Sequence, residues 1–136
     1  MNFEVIYYTK TKNTKKIAEV IAQELDVSAE NVKEKNKISK DSIVLLGSGL
    51  YANRLGKDIV NFIESNDFKG IKVAVFGTSG EGMGKETQIL KDMLEKRGAI
   101  VIDEFHCKGK AMYLFQRSHP TNEEFERARE FARKLR

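Results

Sequence analysis

Short continuous hydrophobic runs alternate along the chain with longer stretches in which apolar residues recur every three or four positions. Near-continuous runs of Val, Ile and Leu predict strands that are buried on both faces, as in parallel sheets. The segment Asn31–Lys35 holds one apolar residue among alternating charges and predicts a short, exposed second strand. The other four predicted strands are Phe3–Tyr8, Ser42–Gly47, Lys72–Gly77 and Ala99–Phe105.

The periodic stretches predict four amphipathic helices, each with its apolar residues on one side. Gly98 is expected to cap the carboxyl end of the third helix. Thr121 and Glu124 have the spacing of a capping box at the start of the fourth. The first helix has Ile17, Ala18, Val20, Ile21 and Leu25 on one side, and the later helices are predicted at about Leu55–Glu64, Glu86–Arg97 and Asn122–Leu135.

The alternation of strands and helices predicts a doubly wound α/β fold, in which a five-stranded parallel sheet carries helices on both faces. The pattern leaves open a further helix between the second and third strands. No linker, internal repeat or low-complexity segment divides the 136 residues. We therefore expect one domain that spans residues 1–136.

The composition of the chain limits the classes of partner and the cellular compartment that we expect for the protein. The net charge of +4 arises from 24 basic and 20 acidic residues spread along the chain, so it does not indicate a nucleic-acid partner. The single cysteine, Cys107, excludes an internal disulfide and fits a reducing compartment. No apolar run approaches the roughly 20 residues that cross a bilayer, and the N-terminus enters a strand without a signal-peptide pattern. We expect a cytoplasmic protein without a membrane segment.

Three polar or glycine-rich loops, at residues 9–14, 48–54 and 78–84, follow predicted strands. Ligands of doubly wound sheets bind outside the carboxyl ends of the strands, where these loops lie. The first loop, TKTKNT, places hydroxyl groups just before a helix, whose free N–H groups and dipole favour a phosphate. Taken by itself, the same loop is also a Thr/Asn helix cap among solvated lysines. The glycines of the third loop fit neither the P-loop nor the dinucleotide spacing.

The run YTKTKNTKKIA resembles the phosphate loop of flavodoxins, a T/S-x-T-x-N-T turn between the first strand and helix that binds the phosphate of FMN. Lys10 and Lys12 stand where that family often has small residues, usually glycine. Lys12 must therefore accept a backbone angle that suits glycine, while the two ammonium groups would attract a dianionic phosphate. The resemblance implies FMN contacts from Thr9, Lys10, Thr11, Lys12, Asn13 and Thr14.

The second loop, GSGLYANRLG, resembles the flavodoxin segment that lies along one face and the N5 edge of the isoalloxazine ring. Tyr51 would be the stacking aromatic, although an exposed aromatic taken alone is more often a packing residue. Ala52 stands where the family usually has a glycine whose peptide turns over on flavin reduction, and Asn53 where it commonly has an acidic residue. The implied contacts are Ser48, Gly49, Leu50, Tyr51, Ala52 and Asn53.

The third loop, GTSGEGMGKET, resembles the flavodoxin pyrimidine loop, which offers backbone N–H groups to the N1 and O2 edge of the ring. Many flavodoxins place a second aromatic residue here, whereas this chain has Ser79, Glu81 and Met83. One face of the flavin is therefore expected to be open or covered by another segment. The implied contacts are Thr78, Ser79, Gly80 and Gly82.

The connection before the last helix, CKGKAMYLFQRSHP, carries Tyr113 and Phe115 among basic residues. These aromatics would flank the flavin, form a partner-docking surface or pack over the sheet edge, the last being the default. Because many flavodoxins meet reductases through an acidic rim, this basic loop indicates an acidic partner. His106 and His119 are too few to indicate a metal site, and Cys107 is expected to be a packing residue.

The resemblance extends over essentially the whole chain, because the three loops occur in the correct order and each follows the correct strand. It implies an FMN-binding electron-transfer protein that serves redox partner proteins as a monomer or homodimer, without a catalytic acid, base or nucleophile. One alternative is an FMN-dependent oxidoreductase of the flavodoxin-like protoporphyrinogen oxidase or quinone-reducing type, which an open flavin face would suit. The other is a flavodoxin-fold binding module that has lost FMN, which the departures at Lys10, Lys12 and Ala52 would favour.

Overall fold

A five-stranded parallel sheet and four helices make up the described part of the computed structural model, which covers residues 2–10, 12–35, 37–50, 54–79, 84–108 and 121–136. The strands are β1 (Asn2–Tyr8), β2 (Ala29–Asn31), β3 (Ser42–Gly49), β4 (Lys72–Ser79) and β5 (Ile100–Lys108). The helices are α1 (Asn13–Glu24), α2 (Lys57–Ser65), α3 (Lys85–Lys96) and α4 (Asn122–Lys134). The strand order is β2-β1-β3-β4-β5, which confirms the predicted doubly wound α/β fold. None of the described helices has the length and apolar character that crossing a membrane requires.

Two apolar cores lie on opposite faces of the sheet. On one face, α1 and α4 pack against residues such as Val5 and Phe76. On the other face, α2 and α3 pack against residues such as Ile6 and Val75. Consecutive residues of the central strands are thus buried on alternate faces, which explains why these strands are near-continuous hydrophobic runs.

The predicted second strand, Asn31–Lys35, is wrong except for its first residue. The structure places β2 at Ala29–Asn31, and a turn follows from residue 32. Asn31 begins that turn, because its side-chain oxygen accepts from the N–H of Lys33 at 3.0 Å and its carbonyl accepts from the N–H of Glu34 at 2.9 Å. No helix lies between β2 and β3 in the described part of that connection, residues 32–35 and 37–41.

The two predicted helix caps are confirmed. Gly98, at φ 84°, follows α3 in the left-handed conformation, and its N–H donates to the carbonyl of Glu95 at 3.1 Å. At the start of α4, the hydroxyl of Thr121 accepts from the N–H of Glu124 at 3.2 Å, and the Glu124 carboxylate accepts from the N–H of Thr121 at 2.9 Å. These caps fix where the helices meet the loops at the two ends of the sheet.

Candidate functional site

The register of the sheet brings the three predicted binding loops together. Tyr8 at the end of β1 pairs with Ser48 of β3, and Ser48 pairs in turn with Gly77 of β4. Gly49 pairs with Thr78 one residue further along. The loops that follow these three strands therefore leave the sheet side by side at its carboxyl edge, where doubly wound folds bind their ligands.

Lys12 adopts a backbone conformation that suits glycine, the residue that the family resemblance places at this position. Its φ of 70° and ψ of 0° are left-handed, and it is one of two described residues other than glycine with a positive φ. Lys12 is the N-cap of α1 but makes no side-chain hydrogen bond to the helix. Since the first N–H groups of a helix have no intrahelical acceptor, this uncapped start is suited to an anion.

The hydroxyl of Thr9 is a buried polar group without a hydrogen-bond partner among the described residues. Its oxygen is shielded from water. An unsatisfied buried hydroxyl costs about 1–3 kcal/mol, so its burial at this place is explained if a ligand completes its hydrogen bonding. The hydroxyl at the start of the loop, the left-handed residue and the uncapped helix fit a phosphate group.

Other predicted contacts of the first loop lie around the same turn. Asn13 and Thr14 are buried in the first turn of α1, whereas the side chains of Lys10 and Lys12 are exposed. Thr11 lies outside the described residues. The loop thus combines buried polar groups with exposed positive charge, and that charge would attract a dianionic phosphate.

A hydroxyl pair connects the first and third loops. The side-chain oxygens of Thr14 and Thr78 are 2.8 Å apart, and both residues are almost completely buried, at 0% and 4% exposure. The two threonines are 64 positions apart in the chain. Both were predicted to contact FMN, but no pattern in the sequence indicated that they bond to each other.

The described part of the second loop is the end of β3, the next residue Leu50, and Arg54, which is exposed. Ser48 is fully buried, and its hydroxyl donates to the carbonyl of Gly49 at 2.8 Å. Gly49 is also buried, and Leu50 is half-buried. The predicted stacking residue Tyr51, with Ala52 and Asn53, lies outside the described residues.

The third loop begins at the end of β4, where Thr78 is buried and Ser79 is the last strand residue. The predicted contacts Gly80 and Gly82 lie outside the part of the chain that the structure describes. Sequence reasoning missed Glu86, which follows this loop and is fully buried although it is a charged residue. Its side chain occupies the space that a Cβ on Gly77 would fill. A glycine at the strand end, and a glutamate four residues before the buried Leu90, were the available signals.

Cys107 is a packing residue, as the sequence indicated. It is buried near the end of β5, and burial, reinforced by the negative charge of Glu124, raises the pKa of its thiol to about 12. The thiol is therefore protonated at neutral pH and is not a thiolate nucleophile. The ring of His106 on the same strand packs against Gly84, at the start of α3. Tyr113 and Phe115, in the connection that follows β5, lie outside the described residues.

Comparisons with known proteins agree on one family. Residues 4–115 match the family model of the flavodoxin domain. A flavodoxin of Clostridium beijerinckii is 30% identical over 111 residues, which cover 74% of this chain and 80% of the relative. An uncharacterised protein of Methanocaldococcus jannaschii is 33% identical over 138 residues and covers 91% of this chain, with 90% of its own length matched.

Solved structures show the same fold. A flavodoxin from the domain Archaea superimposes with a TM-score of 0.78 at 18% identity, covering 99% of this chain and 96% of that chain. The two-electron reduced flavodoxin of Megasphaera elsdenii superimposes with a TM-score of 0.73 at 26% identity, covering 97% of this chain and 98% of that chain.

Proposed function

We propose, because the chain belongs to the flavodoxin family, that its loop at residues 9–14 holds the phosphate of FMN at the start of α1. Its membership in this family supports the function of an FMN-binding, flavodoxin-like electron-transfer protein. The observation that carries the proposed phosphate site is the buried Thr9 hydroxyl without a described partner, beside the left-handed Lys12. Residues 48–53, with 78–80 and Gly82, are the proposed contacts of the flavin ring.

The chemistry of electron transfer is supplied by the flavin when it is bound. The residues of this chain have the task of binding and orienting it. The buried carboxyl edge of the sheet supplies rigid strand ends for that purpose, since Ser48 and Thr78 are held in register by the paired strands. Neither alternative, a substrate-specific FMN oxidoreductase or a binding module without FMN, is favoured by the family comparison.

Replacing Thr9 with valine tests the phosphate site, because the structure predicts two effects of opposite sign. Loss of a buried hydroxyl that has no partner among the described residues should leave the flavin-free protein equally stable or more stable, by up to about 3 kcal/mol in urea unfolding. The same change should weaken FMN binding about tenfold and leave riboflavin, which lacks the phosphate, within about twofold.

A matched control is Thr87→Val, which removes a buried hydroxyl that donates to the carbonyl of Gly84 at 2.8 Å. This control should destabilise the protein by about 1 kcal/mol and preserve the preference for FMN over riboflavin. Equal losses of FMN and riboflavin in Thr9→Val would place the phosphate elsewhere.

The partner we propose is a redox protein with an acidic surface. Lys12, Lys16, Arg54, Lys57 and Lys85 are exposed around the carboxyl edge of the sheet. Among the described residues, none of the ion pairs involves any of these five side chains. The four connections that follow β1, β3, β4 and β5 contain five basic residues and one acidic residue. Uncompensated positive charge around the flavin site would steer an acidic partner toward it.

Small redox probes test that charge without a known partner. Oxidation of the reduced holoprotein by anionic ferricyanide should slow as salt is added, whereas oxidation by cationic hexaammineruthenium should accelerate. Arg54→Glu should reduce the rate with ferricyanide at low salt, and Lys96→Glu, at the far end of α3, should change it little. The opposite salt dependence would contradict an acidic partner.

The remaining predictions concern the cellular location, the domain organisation, the oligomeric state and the partners of the protein. We propose a cytoplasmic location, because the free, buried Cys107 fits a reducing compartment. A single domain over residues 1–136, a monomeric or homodimeric state and the lack of a nucleic-acid partner stay predictions from the sequence. Size-exclusion chromatography with light scattering measures the oligomeric state directly.

A further inference from the structure

The hydroxyl pair between Thr14 and Thr78 leaves one proton without an acceptor among the described residues. Each threonine hydroxyl has one proton to donate, and a single hydrogen bond between the two uses only one of them. Both residues are buried, at 0% and 4% exposure, so water does not readily accept the second proton. Among the described residues, no further hydrogen bond is made by either hydroxyl. Buried donors normally find an acceptor, so the second proton indicates where a ligand belongs.

We propose that Thr78 is a positioning residue for the phosphate of FMN, acting through Thr14. In this arrangement the Thr78 hydroxyl donates to the Thr14 oxygen, and the Thr14 hydroxyl is thereby directed to donate its own proton to the phosphate. The proposal rests on the phosphate site proposed above and goes beyond it, because it gives a side-chain role to a residue of the third loop, whose expected contribution was a backbone N–H.

The direction of the chain of hydrogen bonds follows from the chemistry of its end. A phosphate dianion only accepts hydrogen bonds, so a threonine beside it must act as the donor. The lone pairs of the Thr14 hydroxyl oxygen can then accept a hydrogen bond. Among the described residues, Thr78 has its hydroxyl within hydrogen-bond distance of that oxygen. Donors and acceptors in such a chain polarise one another, which strengthens the terminal bond to the charged group.

The fold explains how a residue so distant in sequence reaches the phosphate loop. Thr14 is in the first turn of α1, and Thr78 is near the end of β4, which is separated from β1 by β3. The α1 helix crosses the sheet on the face that also carries Phe76 and Cys107. Thr78 follows Phe76 by two positions and therefore projects to the same face, where it meets the start of α1.

The test compares FMN and riboflavin binding by flavin fluorescence quenching in the flavin-stripped protein of 136 residues. Thr78→Val should weaken FMN binding about tenfold, which corresponds to about 1.4 kcal/mol, and leave riboflavin within twofold. Thr78→Ser, which keeps the hydroxyl, should restore the FMN affinity. Thr87→Val is the control, because it removes a buried hydroxyl bonded to Gly84 and not to the phosphate loop.

A double-mutant cycle separates positioning from an independent contact. If Thr78 acts through Thr14, then adding Thr78→Val to Thr14→Val should cost little further FMN affinity. The phosphorus-31 resonance of bound FMN should shift in Thr78→Val and stay unchanged in Thr87→Val. Additive losses, an unchanged phosphorus resonance, or equal weakening of FMN and riboflavin would overturn the role of Thr78.

Two outcomes distinguish a failure of the phosphate site from a failure of the role of Thr78. If the unmodified protein does not prefer FMN to riboflavin, the phosphate site itself fails. If it does prefer FMN and Thr78→Val keeps that preference, only the role of Thr78 fails. Should Thr78→Val not fold, the unmodified FMN complex still decides, because the Thr78 hydroxyl proton should be protected from exchange as a donor to the Thr14 oxygen, while the Thr14 hydroxyl proton should show scalar coupling to phosphorus. Coupling of Thr14 to phosphorus together with a rapidly exchanging Thr78 hydroxyl would contradict the role of Thr78 alone.

Discussion

Replacing Lys12 with glycine is expected to stabilise the flavin-free protein relative to replacing it with alanine. Lys12 has φ 70° and ψ 0°, and a residue with a Cβ loses about 1–2 kcal/mol in the left-handed region. Glycine avoids that strain but is more flexible in the unfolded chain, which costs about 0.5–1 kcal/mol. The difference favours glycine by about 0–1.5 kcal/mol, with a midpoint of about 0.75 kcal/mol. Both substitutions remove the same charge, so their comparison isolates the backbone.

The assay is urea unfolding of the flavin-free protein, followed by circular dichroism, for Lys12→Gly and Lys12→Ala in parallel. Lys12→Val should be the least stable, because a β-branched side chain fits the left-handed region worst. The control pair is Lys16→Gly and Lys16→Ala, in the same helix, where the conformation is right-handed. There the order must reverse, with glycine less stable by about 0.5–1 kcal/mol. Glycine less stable than alanine at position 12 would refute a left-handed Lys12.

Three further predictions concern groups near the sheet. Gly77→Ala should destabilise the protein by about 1–3 kcal/mol in urea unfolding, because its Cβ would meet the buried Glu86 side chain; wild-type stability would contradict that contact. Cys107 should resist iodoacetamide at pH 8 in the folded protein and react in urea, because burial raises its pKa to about 12; rapid reaction of the folded protein would show an accessible thiolate. The pKa of Lys35 is raised above 10.5, chiefly by its hydrogen bond to Glu4, at 2.7 Å. The charged Lys35 should stabilise the fold fully below its unfolded-state pKa, and this stabilisation should decline as pH rises through the raised pKa. In Lys35→Met, the free energy of unfolding, measured at each pH, should therefore fall less over this alkaline range than in the unmodified protein.

The central strands could be read from the sequence because burial on both faces leaves a continuous apolar run. The three-residue β2 carries no such pattern. Its position was therefore predicted wrongly, because Asn31 ends the strand and begins a turn. The angle of Lys12 was predictable only through the family glycine at that place. The contact between Thr14 and Thr78 spans 64 positions and depends on how α1 crosses the sheet. The burial of Glu86 likewise depends on its packing over Gly77. The strand-end glycine and the four-residue spacing from Glu86 to Leu90 indicate a buried helix position, but they do not indicate that contact.

The most direct test of FMN binding through the loop at residues 9–14 is a titration of the flavin-stripped protein with FMN and, in parallel, riboflavin. Flavin fluorescence reports both, and bound FMN should be quenched to saturation at much lower concentrations than riboflavin. Saturation by FMN then leads to reductive titration of the complex. Binding of the two flavins with equal affinity, or no saturation by FMN up to about 100 μM, which is roughly 5.5 kcal/mol of binding free energy, would contradict a phosphate site at the start of α1.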